Sequence, residues 1–520
     1  MDLTGQNFIG NTRSANGSNT FQGVNPANGE DIAPQYVEAT ADEVDRAVEK
    51  AEEAFRVYRR KSGAERAKFL EAIADEIMAL GDELIDRCSK ETGLGEGRLT
   101  GERSRTVNQL RLFAEVVREG SWVDARIDRS EDAPDIKSMK MALGPVGIFG
   151  ASNFPLAFSV AGGDTASALA AGCSIVVKAH PAHPGTCELV ATAILRAVEK
   201  TGMPDGTFSM VQGISYDVGT ALVEHPLIKA IGFTGSFKGG KALYDAATSR
   251  PEPIPVYAEM GSTNPMFLLR GALKEKGSEI AEGLVNSVNL GVGQFCTNPG
   301  LVAYENSEEA QQFQQTVTDH FKKAGGGTML TAGIQSAYKK GLEKLLQQEG
   351  VQLVANGEEN GTSTTTGVPH LLNVNSKHFL ANRALEEEVF GPSTLTITAD
   401  GPEDLVEIAQ NLQGHLTATL YGTEEDLEQY SDLVDVLQRK VGRLIFNGFP
   451  TGVEVNHAMI HGGPFPATTD SRSTSVGTTA IERFARPVCF QNFPDSQLPD
   501  ELKDDNPLDI WRLENGERTK

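Results

Sequence analysis

The sequence has few of the features that mark secreted or membrane proteins. Only five of its 520 residues are cysteine and two are tryptophan. An odd number of scattered cysteines predicts free thiols in a reducing compartment rather than a disulfide framework. No run of about 18 apolar residues occurs, so no membrane-spanning helix is expected. The start, MDLTGQNFIG, has neither a basic nor an apolar signal segment. We therefore expect a cytoplasmic protein.

Basic residues are also scarce, with 47 Lys and Arg against 71 Asp and Glu and a net charge of −24. This balance argues against nucleic acid or an anionic membrane as the main partner, because phosphates would be repelled. A local basic pocket for a small anion stays compatible with it. The length predicts two to four domains at roughly 100–200 residues each.

The pattern along the chain predicts an α/β protein. The first third is expected to be helical, beginning with a capping box at Thr40 and Glu43. Residues 121–143 are charged and irregular, which is typical of a protruding hairpin or a linker. From residue 144 short apolar strands alternate with helices, including a small-residue helix in LAFSVAGGDTASALAAG, and this alternation predicts a parallel sheet. A second α/β region is expected at about 266–460.

Ligands of parallel sheets bind at the carboxyl ends of the strands. The residues that follow predicted strands there are Asn153, Lys178, Gln212, Gly235 and Glu259.

Each of these positions has a structural reading beside the functional one. Lys178 can bind a ribose or a phosphate, or be a solvated strand end. The stretch FTGSFKGGKAL, which holds Gly235, Ser236 and Gly240, can cradle a pyrophosphate at a helix start, or be an ordinary tight turn. Glu259 can be a general base with a raised pKa, or a cap or lysine partner.

Two further residues could act on a carbonyl group. Asn153 could donate to an oxyanion or simply stabilise a turn. Cys296, in the glycine-rich VNLGVGQFCTNPG, could be a nucleophile or a small buried hydrophobe. No metal site is expected.

Seven segments in one order resemble the aldehyde dehydrogenase superfamily over roughly residues 20–490. They are GPVGIFGASNFPLAFS, VVKAHPAHPGT, GFTGS, AEMGSTNP, GQFCTNPG, EEEVFGP and HGGPFPATTDSRSTSVGT. The resemblance implies a Rossmann-type cofactor domain (1–120 and 144–264) and an α/β catalytic domain (265–465). It also implies an oligomerisation hairpin with a C-terminal tail (121–143 and 466–520), and a homodimer or homotetramer.

The resemblance also implies a role for each matching residue. Cys296 would be the nucleophile, Glu259 the general base and Asn153 the oxyanion donor. The cofactor residues would be Lys178 at the adenosine ribose, Gly235, Ser236 and Gly240 along the pyrophosphate, Glu388 at the nicotinamide ribose and Phe390 beside the ring. The reaction would pass through a cysteine thiohemiacetal and a thioester.

The sequence departs from the family pattern in two places. Ser262 and Thr263 follow Gly261, where the family commonly shows a second glycine and a lysine. Pro181 stands where many NAD-preferring members carry a carboxylate. Without that acid a 2′-phosphate is not repelled, so we expect NADP, with NAD as the alternative.

The variants KAHPAHPGT and GGPFPATTDSRSTSVGT resemble the subfamily that oxidises 2-oxoglutarate semialdehyde (2,5-dioxopentanoate) to 2-oxoglutarate. Arg105 is then the candidate for the substrate carboxylate, with Gln109 on the same helix face, although pairing with Glu102 would explain this arginine equally well. Arg472 is a second candidate, and Phe154 and Phe158 would form an apolar wall or belong to a helix core. The alternatives are a general or fatty aldehyde dehydrogenase, a thiol hydrolase, and a non-catalytic binding protein on the same fold.

Overall fold

The structure is a computed structural model that describes residues 2–360 and 363–520. Its helices are α1 Ala41–Tyr58, α2 Gly63–Ala79, α3 Gly81–Thr92, α4 Glu96–Glu119, α5 Gly163–Ala171, α6 Pro184–Thr201, α7 Tyr216–Glu224, α8 Phe237–Thr248, α9 Arg270–Asn289, α10 Glu308–Lys323, α11 Ala332–Leu346, α12 Ser376–Ala381, α13 Pro402–Asn411, α14 Glu424–Gln429 and α15 Ser431–Leu437. Within the described ranges, no helix combines the length and the apolar composition needed to cross a bilayer.

The strands of these residues form two large sheets and three smaller ones. They are β1 Asn7–Ile9, β2 Thr12–Ser14, β3 Thr20–Val24, β4 Asp31–Val37, β5 Arg126–Asp128, β6 Ile136–Ala142, β7 Val146–Phe149, β8 Ile175–Lys178, β9 Phe208–Val211, β10 Ala230–Thr234, β11 Val256–Glu259, β12 Met266–Leu268, β13 Leu301–Glu305, β14 Gly327–Thr328, β15 Gln352–Asn356, β16 Thr366–Gly367, β17 His370–Asn375, β18 Ser393–Ala399, β19 His415–Tyr421, β20 Val441–Phe446, β21 Ala485–Gln491, β22 Arg512–Glu514 and β23 Glu517–Thr519.

The first sheet has the order β11-β10-β7-β8-β9-β1-β2. Its strands β7 to β11 run parallel, and their register pairs Phe149 with Lys178 and Thr234 with Glu259. Lys178 at the end of β8 and Glu259 at the end of β11 therefore lie at the same carboxyl edge, with β10 and β7 between them. Apolar clusters cover both faces, with α1, α7 and α8 on one face and α2, α4, α5 and α6 on the other.

The second sheet has the order β15-β17-β18-β13-β12-β19-β20 and is parallel except for β15. It is also covered on both faces by apolar clusters, which pack α9 and α10 on one side and α11, α13 and α15 on the other. This is the layered arrangement that buried parallel sheets require. The α/β fold class expected from the alternation of strands and helices is confirmed.

Two expectations about local structure are wrong. The first third is not purely helical, because β1 to β4 precede α1 and Phe8 pairs with the distant Met210 of the first sheet. The helix expected from residue 156 begins only at Gly163. The preceding residues form turns, because the Glu102 carboxylate accepts the Leu156 and Ala157 N–H groups at 2.8 and 3.0 Å.

The C-terminal segment contributes to two regions. The five-stranded sheet β21-β6-β5-β22-β23 joins the 121–143 segment to the tail. The Met260 and Thr469 N–H groups donate to the Ala467 and Ala258 carbonyls at 2.8 and 3.1 Å, so residues 467–469 lie along β11 of the first sheet. The division into domains, including the boundary expected at 466, stays a prediction.

Candidate active site

Cys296 lies in a tightly fixed loop after α9 and a short 3₁₀ turn. Val292 in that turn has a φ of 59°, a left-handed conformation that strains a β-branched residue. The Asn264 amide holds the loop by donating to the Cys296 and Asn298 carbonyls, each at 2.9 Å. Cys296 itself is half-buried, so the residue is not sealed in the interior.

The Cys296 sulfur belongs to a row of three chemically active groups. Its Sγ lies 3.5 Å from His461 Nε2, and that nitrogen lies 3.1 Å from Glu259 Oε1. Ser475 Oγ donates to the other Glu259 oxygen at 3.0 Å. His461 and Glu259 are 1% and 5% exposed. The arrangement can therefore pass a proton from the sulfur towards a buried carboxylate.

The electrostatics of this row give each group a different role at rest. Burial and then the Glu259 carboxylate raise the pKa of Cys296 well above its ordinary value, so the resting sulfur is a neutral thiol. Burial also opposes ionisation of Glu259, but the His461 imidazole and the hydrogen bonds from His461 and Ser475 outweigh it and lower that pKa. The raised pKa expected for Glu259 is therefore wrong, because the sequence does not show its partners.

Asn153 lies beside the same loop. Its side-chain Nδ2 donates to the Gln294 carbonyl at 3.1 Å, two residues before Cys296. Its own carbonyl accepts from Arg98 at 2.6 Å, and the Arg98 guanidinium stacks on the Phe154 and Phe295 rings at 5.0 and 4.7 Å. The amide is thus held next to the nucleophile loop, where an oxyanion donor is needed.

The residues expected to hold a dinucleotide line the carboxyl edge of the first sheet. Lys178 Nζ donates to the Gly213 carbonyl at 2.6 Å, and burial lowers its pKa to about 8. Ser236 caps α8 by accepting the Gly239 N–H at 3.2 Å, and the Gly235 N–H bonds the Glu259 carbonyl at 3.0 Å. A Cβ at Gly240 would lie 2.5 Å from the Met260 side chain, so the first turn of α8 packs closely against the residue that follows β11.

These groups fit a dinucleotide. Gly213 is the hydrogen-bond partner recorded for the Lys178 ammonium within residues 2–360 and 363–520, so further N–H groups remain for ribose or phosphate oxygens. The N-terminus of α8 suits an anion.

Glu388 and Phe390 line a cleft of about 420 Å³ that includes space open to solvent. Ser262 and Asn298 also line it, and a Cβ on Gly261 would meet the Glu388 carboxylate at 2.6 Å. The cleft includes Gly293 and Asn298 of the loop that carries Cys296.

One face of α4 points at the site, and Arg105 is on it. Arg105 Nε donates to the Val453 carbonyl at 3.3 Å, and its guanidinium lies 5.0 Å from the Phe158 ring. The Phe158 ring is in turn 6.2 Å from the His461 ring. Both terminal nitrogens of Arg105 are shielded from solvent and have no hydrogen-bond partner among the described residues.

The other substrate candidates differ in placement. Gln109 is 2% exposed, and its Nε2 is also unpartnered among the described residues. Phe154 and Phe158 pack edge to face at 5.4 Å in a small apolar cluster with Val453. Arg472 is not brought into the site, because its side chain is 92% exposed and pairs with Asp470 at 3.4 Å.

Sequence reasoning missed three functional candidates: His461, Asn264 and Arg443. His461 opens the HGGPFPATTDSRSTSVGT segment, so a signal was present but carried no role. Arg443 donates to the Pro450 and Gly452 carbonyls at 2.8 and 3.1 Å and lies close enough to Cys296 to interact with its thiolate form. It fixes the loop that Arg105 also contacts.

The fold and the site together define a class of protein. It is an α/β protein with two large sheets, in which a cysteine thiol, a histidine imidazole and a carboxylate lie next to one another. The aldehyde dehydrogenase family model matches residues 13–473. The chain belongs to the aldehyde dehydrogenase family.

Two relatives match it over almost their whole length. Alpha-ketoglutaric semialdehyde dehydrogenase 2 from Azospirillum brasilense is 51% identical, covering 99% of each chain. Alpha-ketoglutaric semialdehyde dehydrogenase from Acinetobacter baylyi is 47% identical with the same coverage. A point mutant of betaine aldehyde dehydrogenase from Staphylococcus aureus, solved with NAD⁺, has a TM-score of 0.81 at 21% identity and covers 96% of this chain and 98% of its own.

Proposed function

We propose that this aldehyde dehydrogenase oxidises 2-oxoglutarate semialdehyde to 2-oxoglutarate with NADP or NAD. The names of the two relatives at 51% and 47% identity support this substrate. The observation that carries it is Arg105, a shielded guanidinium with two unpartnered nitrogens beside the catalytic row.

The guanidinium group of Arg105 has the geometry to bind a carboxylate through two hydrogen bonds. Burial lowers the pKa of this arginine, and Glu102, Cys296 and Glu259 partly offset the effect. No ion pair within 4.0 Å joins Arg105 to Glu102 among the described residues. Glu102 Oε1 accepts the Leu156 and Ala157 N–H groups at 2.8 and 3.0 Å. A planar guanidinium with free terminal nitrogens binds a carboxylate bidentately. The 2-oxo acid end of the substrate would supply that carboxylate, and the apolar Phe158 wall would lie along its methylene groups.

The chain's own groups then divide the chemistry. The Cys296 thiol loses its proton towards His461 and Glu259 as sulfur adds to the aldehyde carbon. The Asn153 amide and the Cys296 backbone N–H hold the oxyanion of the adduct, and losing one such donor typically costs about 10²–10³-fold in rate. The bound cofactor supplies hydride acceptance, which leaves a thioester on Cys296. After the first proton has passed to solvent, Glu259 takes a proton from water, and the resulting hydroxide attacks the thioester carbon. The C–S bond breaks, Cys296 leaves as a thiolate that is then reprotonated, and 2-oxoglutarate is released.

NADP is the proposed preferred cofactor. Pro181 places no carboxylate where a 2′-phosphate would lie, and Lys178 supplies a cation. The Glu38 carboxylate is close enough to affect Lys178, but it accepts both the N–H and the hydroxyl of Ser215. Comparing kcat/KM for the two cofactors at saturating aldehyde tests the preference.

The substrate is tested with Arg105→Gln on two aldehydes, 2,5-dioxopentanoate and hexanal. Loss of a shielded charged contact costs about 2–5 kcal/mol, or about 30- to 4,000-fold in kcat/KM, on the charged substrate. Hexanal makes no such contact, so its kcat/KM should change by less than about threefold. Arg111→Gln, on the exposed side of the same helix where Arg111 pairs with Asp75, is the matched control.

The outcomes separate the candidate functions. Equal losses of kcat/KM on both aldehydes would mean that Arg105 stabilises the site and does not bind the substrate carboxylate. A wild-type enzyme that prefers hexanal would favour the general aldehyde dehydrogenase instead. Ester cleavage without a cofactor, and no aldehyde oxidation, would favour the thiol hydrolase.

We also propose a homodimer or homotetramer in a reducing, cytoplasmic compartment. The five cysteines are free, and the half-buried Cys296 must stay reduced to act. The β21 edge of the five-stranded sheet is largely exposed, so it offers backbone groups to a second copy. Light scattering coupled to size-exclusion chromatography measures the number of subunits.

A further inference from the structure

The row at Cys296 has a second chemical capacity, because its three groups are also metal ligands. Among the described residues, the ligand atoms of Glu259, Cys296 and His461 all lie within 4.8 Å of one another. Thiolate, imidazole and carboxylate are the ligand types that Zn²⁺ takes in proteins. We propose that these three side chains form a zinc site, and that Zn²⁺ bound there switches the enzyme off.

Two of the three separations match a tetrahedral ion closely. Zn–S bonds of about 2.3 Å and Zn–N or Zn–O bonds of about 2.0–2.1 Å place ligand atoms about 3.3–3.6 Å apart on the edges of a tetrahedron. The Sγ–Nε2 separation is 3.5 Å and the Nε2–Oε1 separation is 3.1 Å. The sulfur and the carboxylate oxygen lie within 4.8 Å of each other, so these two atoms must approach by up to about 1 Å to complete the third edge.

Neighbouring groups hold two of these ligands in orientation. Ser475 Oγ donates a hydrogen bond to Glu259 Oε2 at 3.0 Å, which leaves Oε1 facing His461. The His461 backbone N–H donates to Thr474 Oγ1 at 2.8 Å, which fixes the residue that carries the imidazole. Such outer contacts orient ligands and strengthen metal binding.

The charges also balance. Zn²⁺ displaces the thiol proton of Cys296 to solvent and forms a Zn–S bond, so one H⁺ is released for each ion bound. The thiolate and the Glu259 carboxylate together cancel the two positive charges, and His461 stays neutral. A neutral complex suits this site, because His461 and Glu259 are almost fully buried. The three side chains leave a fourth position for water.

Bound zinc would stop the chemistry described above. The Cys296 lone pair that attacks the aldehyde would be committed to the ion, and His461 and Glu259 would be unable to accept a proton. Inhibition should therefore be reversed by a chelator. The inference depends on these three side chains and not on which aldehyde the enzyme oxidises.

Zinc binding is tested on the full-length protein after treatment with a chelator. Zn²⁺ is titrated against a metal indicator dye, and alkylation of the Cys296 peptide by iodoacetamide is followed by mass spectrometry. We expect one tight ion per chain that protects Cys296. Cys296→Ser, His461→Asn and Glu259→Gln should each lose affinity by at least about tenfold. Cys489→Ser, which removes the exposed thiol on β21, should bind as the wild type does.

Several results would overturn the proposal. If His461→Asn and Glu259→Gln bind zinc as tightly as the wild type, the sulfur binds alone. If Cys296→Ser retains the tight ion, it lies elsewhere on the acidic surface. Should a variant fail to fold, wild-type protein with Co²⁺ decides, because a thiolate charge-transfer band with intense d–d bands is required of a tetrahedral Cys–His–Glu site. Aldehyde turnover of the zinc-free enzyme is measured separately, so its absence would count against the proposed function only.

Discussion

Replacing His461 by asparagine tests whether the imidazole starts the reaction. In the folded enzyme, burial and Glu259 hold the pKa of Cys296 well above its ordinary value, so almost all of the sulfur is a thiol near neutral pH. His461 Nε2 is 3.5 Å from that sulfur and 3.1 Å from Glu259. Asparagine removes this nitrogen while keeping a polar side chain of smaller volume.

The expected loss follows from general base catalysis, which is typically worth about 10²–10⁴-fold. Glu259 remains within 4.8 Å of the sulfur and can substitute in part. We therefore expect the lower end, about 10²-fold, in the rate of thiol addition. The free energy of unfolding should fall by about 1–3 kcal/mol, because the buried Glu259 carboxylate loses the hydrogen bond from His461.

The assay is the pre-steady-state burst of reduced cofactor in a stopped-flow instrument, at saturating aldehyde and cofactor. Its rate reports thiol addition and hydride transfer before the thioester is hydrolysed. His225→Asn is the control, because His225 makes a comparable pair with Asp45 at 2.9 Å far from the sulfur. A His461→Asn burst within about threefold of the wild type would refute the role of the imidazole as a base.

Three further outcomes are expected. Lys178→Met should abolish cofactor binding. In the cofactor-free protein it should raise the free energy of unfolding by up to about 3 kcal/mol, because the buried ammonium is removed. Loss of the hydrogen bond to the Gly213 carbonyl offsets about 1 kcal/mol of this gain. Because burial lowers this pKa from 10.5 to about 8, the folded state opposes protonation, and the stability difference seen in urea melts should shrink as pH rises from 8 to 10.5. Asn264→Ala should lose about 2–4 kcal/mol and most of kcat in the same melts and in turnover, because it frees two buried carbonyls and puts alanine at a φ of 46°. Alkylation of cofactor-free Cys296 by iodoacetamide should keep rising with pH beyond 9.0, and a plateau near neutral pH would contradict the raised pKa.

Much of the first sheet could be predicted because it is built from local signals. Each strand from β7 to β11 is a short apolar run bounded by turns, and parallel pairing brings the ends of all five to one edge. Lys178 and Glu259 follow from that geometry without knowledge of their contacts. The four N-terminal strands gave weaker signals, because polar residues interrupt them, as in Thr12–Ser14 and in Asp31–Val37, which also contains a proline.

The rest of the site depends on contacts between distant residues. His461 lies 165 positions after Cys296 in a loop without regular periodicity, so only the folded chain brings the two together. The same contact lowers the pKa of Glu259, which burial alone would raise. Arg105 shows the opposite case. Its helix and face were predictable from the sequence. The sequence could not show, however, that Glu102 accepts hydrogen bonds from the turn at 156–157 and forms no ion pair with Arg105 among the described residues.

Two bases in one row imply that the two stages of the reaction can be separated by substitution. Glu259→Gln keeps His461 beside the sulfur, so the burst should persist while thioester hydrolysis, and with it steady-state turnover, falls by about 10² or more. The acyl-enzyme should then accumulate on Cys296 and be visible as a mass increase after an acid quench, whereas His461→Asn should show little of it. Glu305→Gln is the control, because Glu305 is a buried carboxylate at the end of β13 that pairs with Arg270 and Tyr430. If Glu259→Gln lowers the burst as much as His461→Asn, the carboxylate serves both stages, and the histidine only positions it.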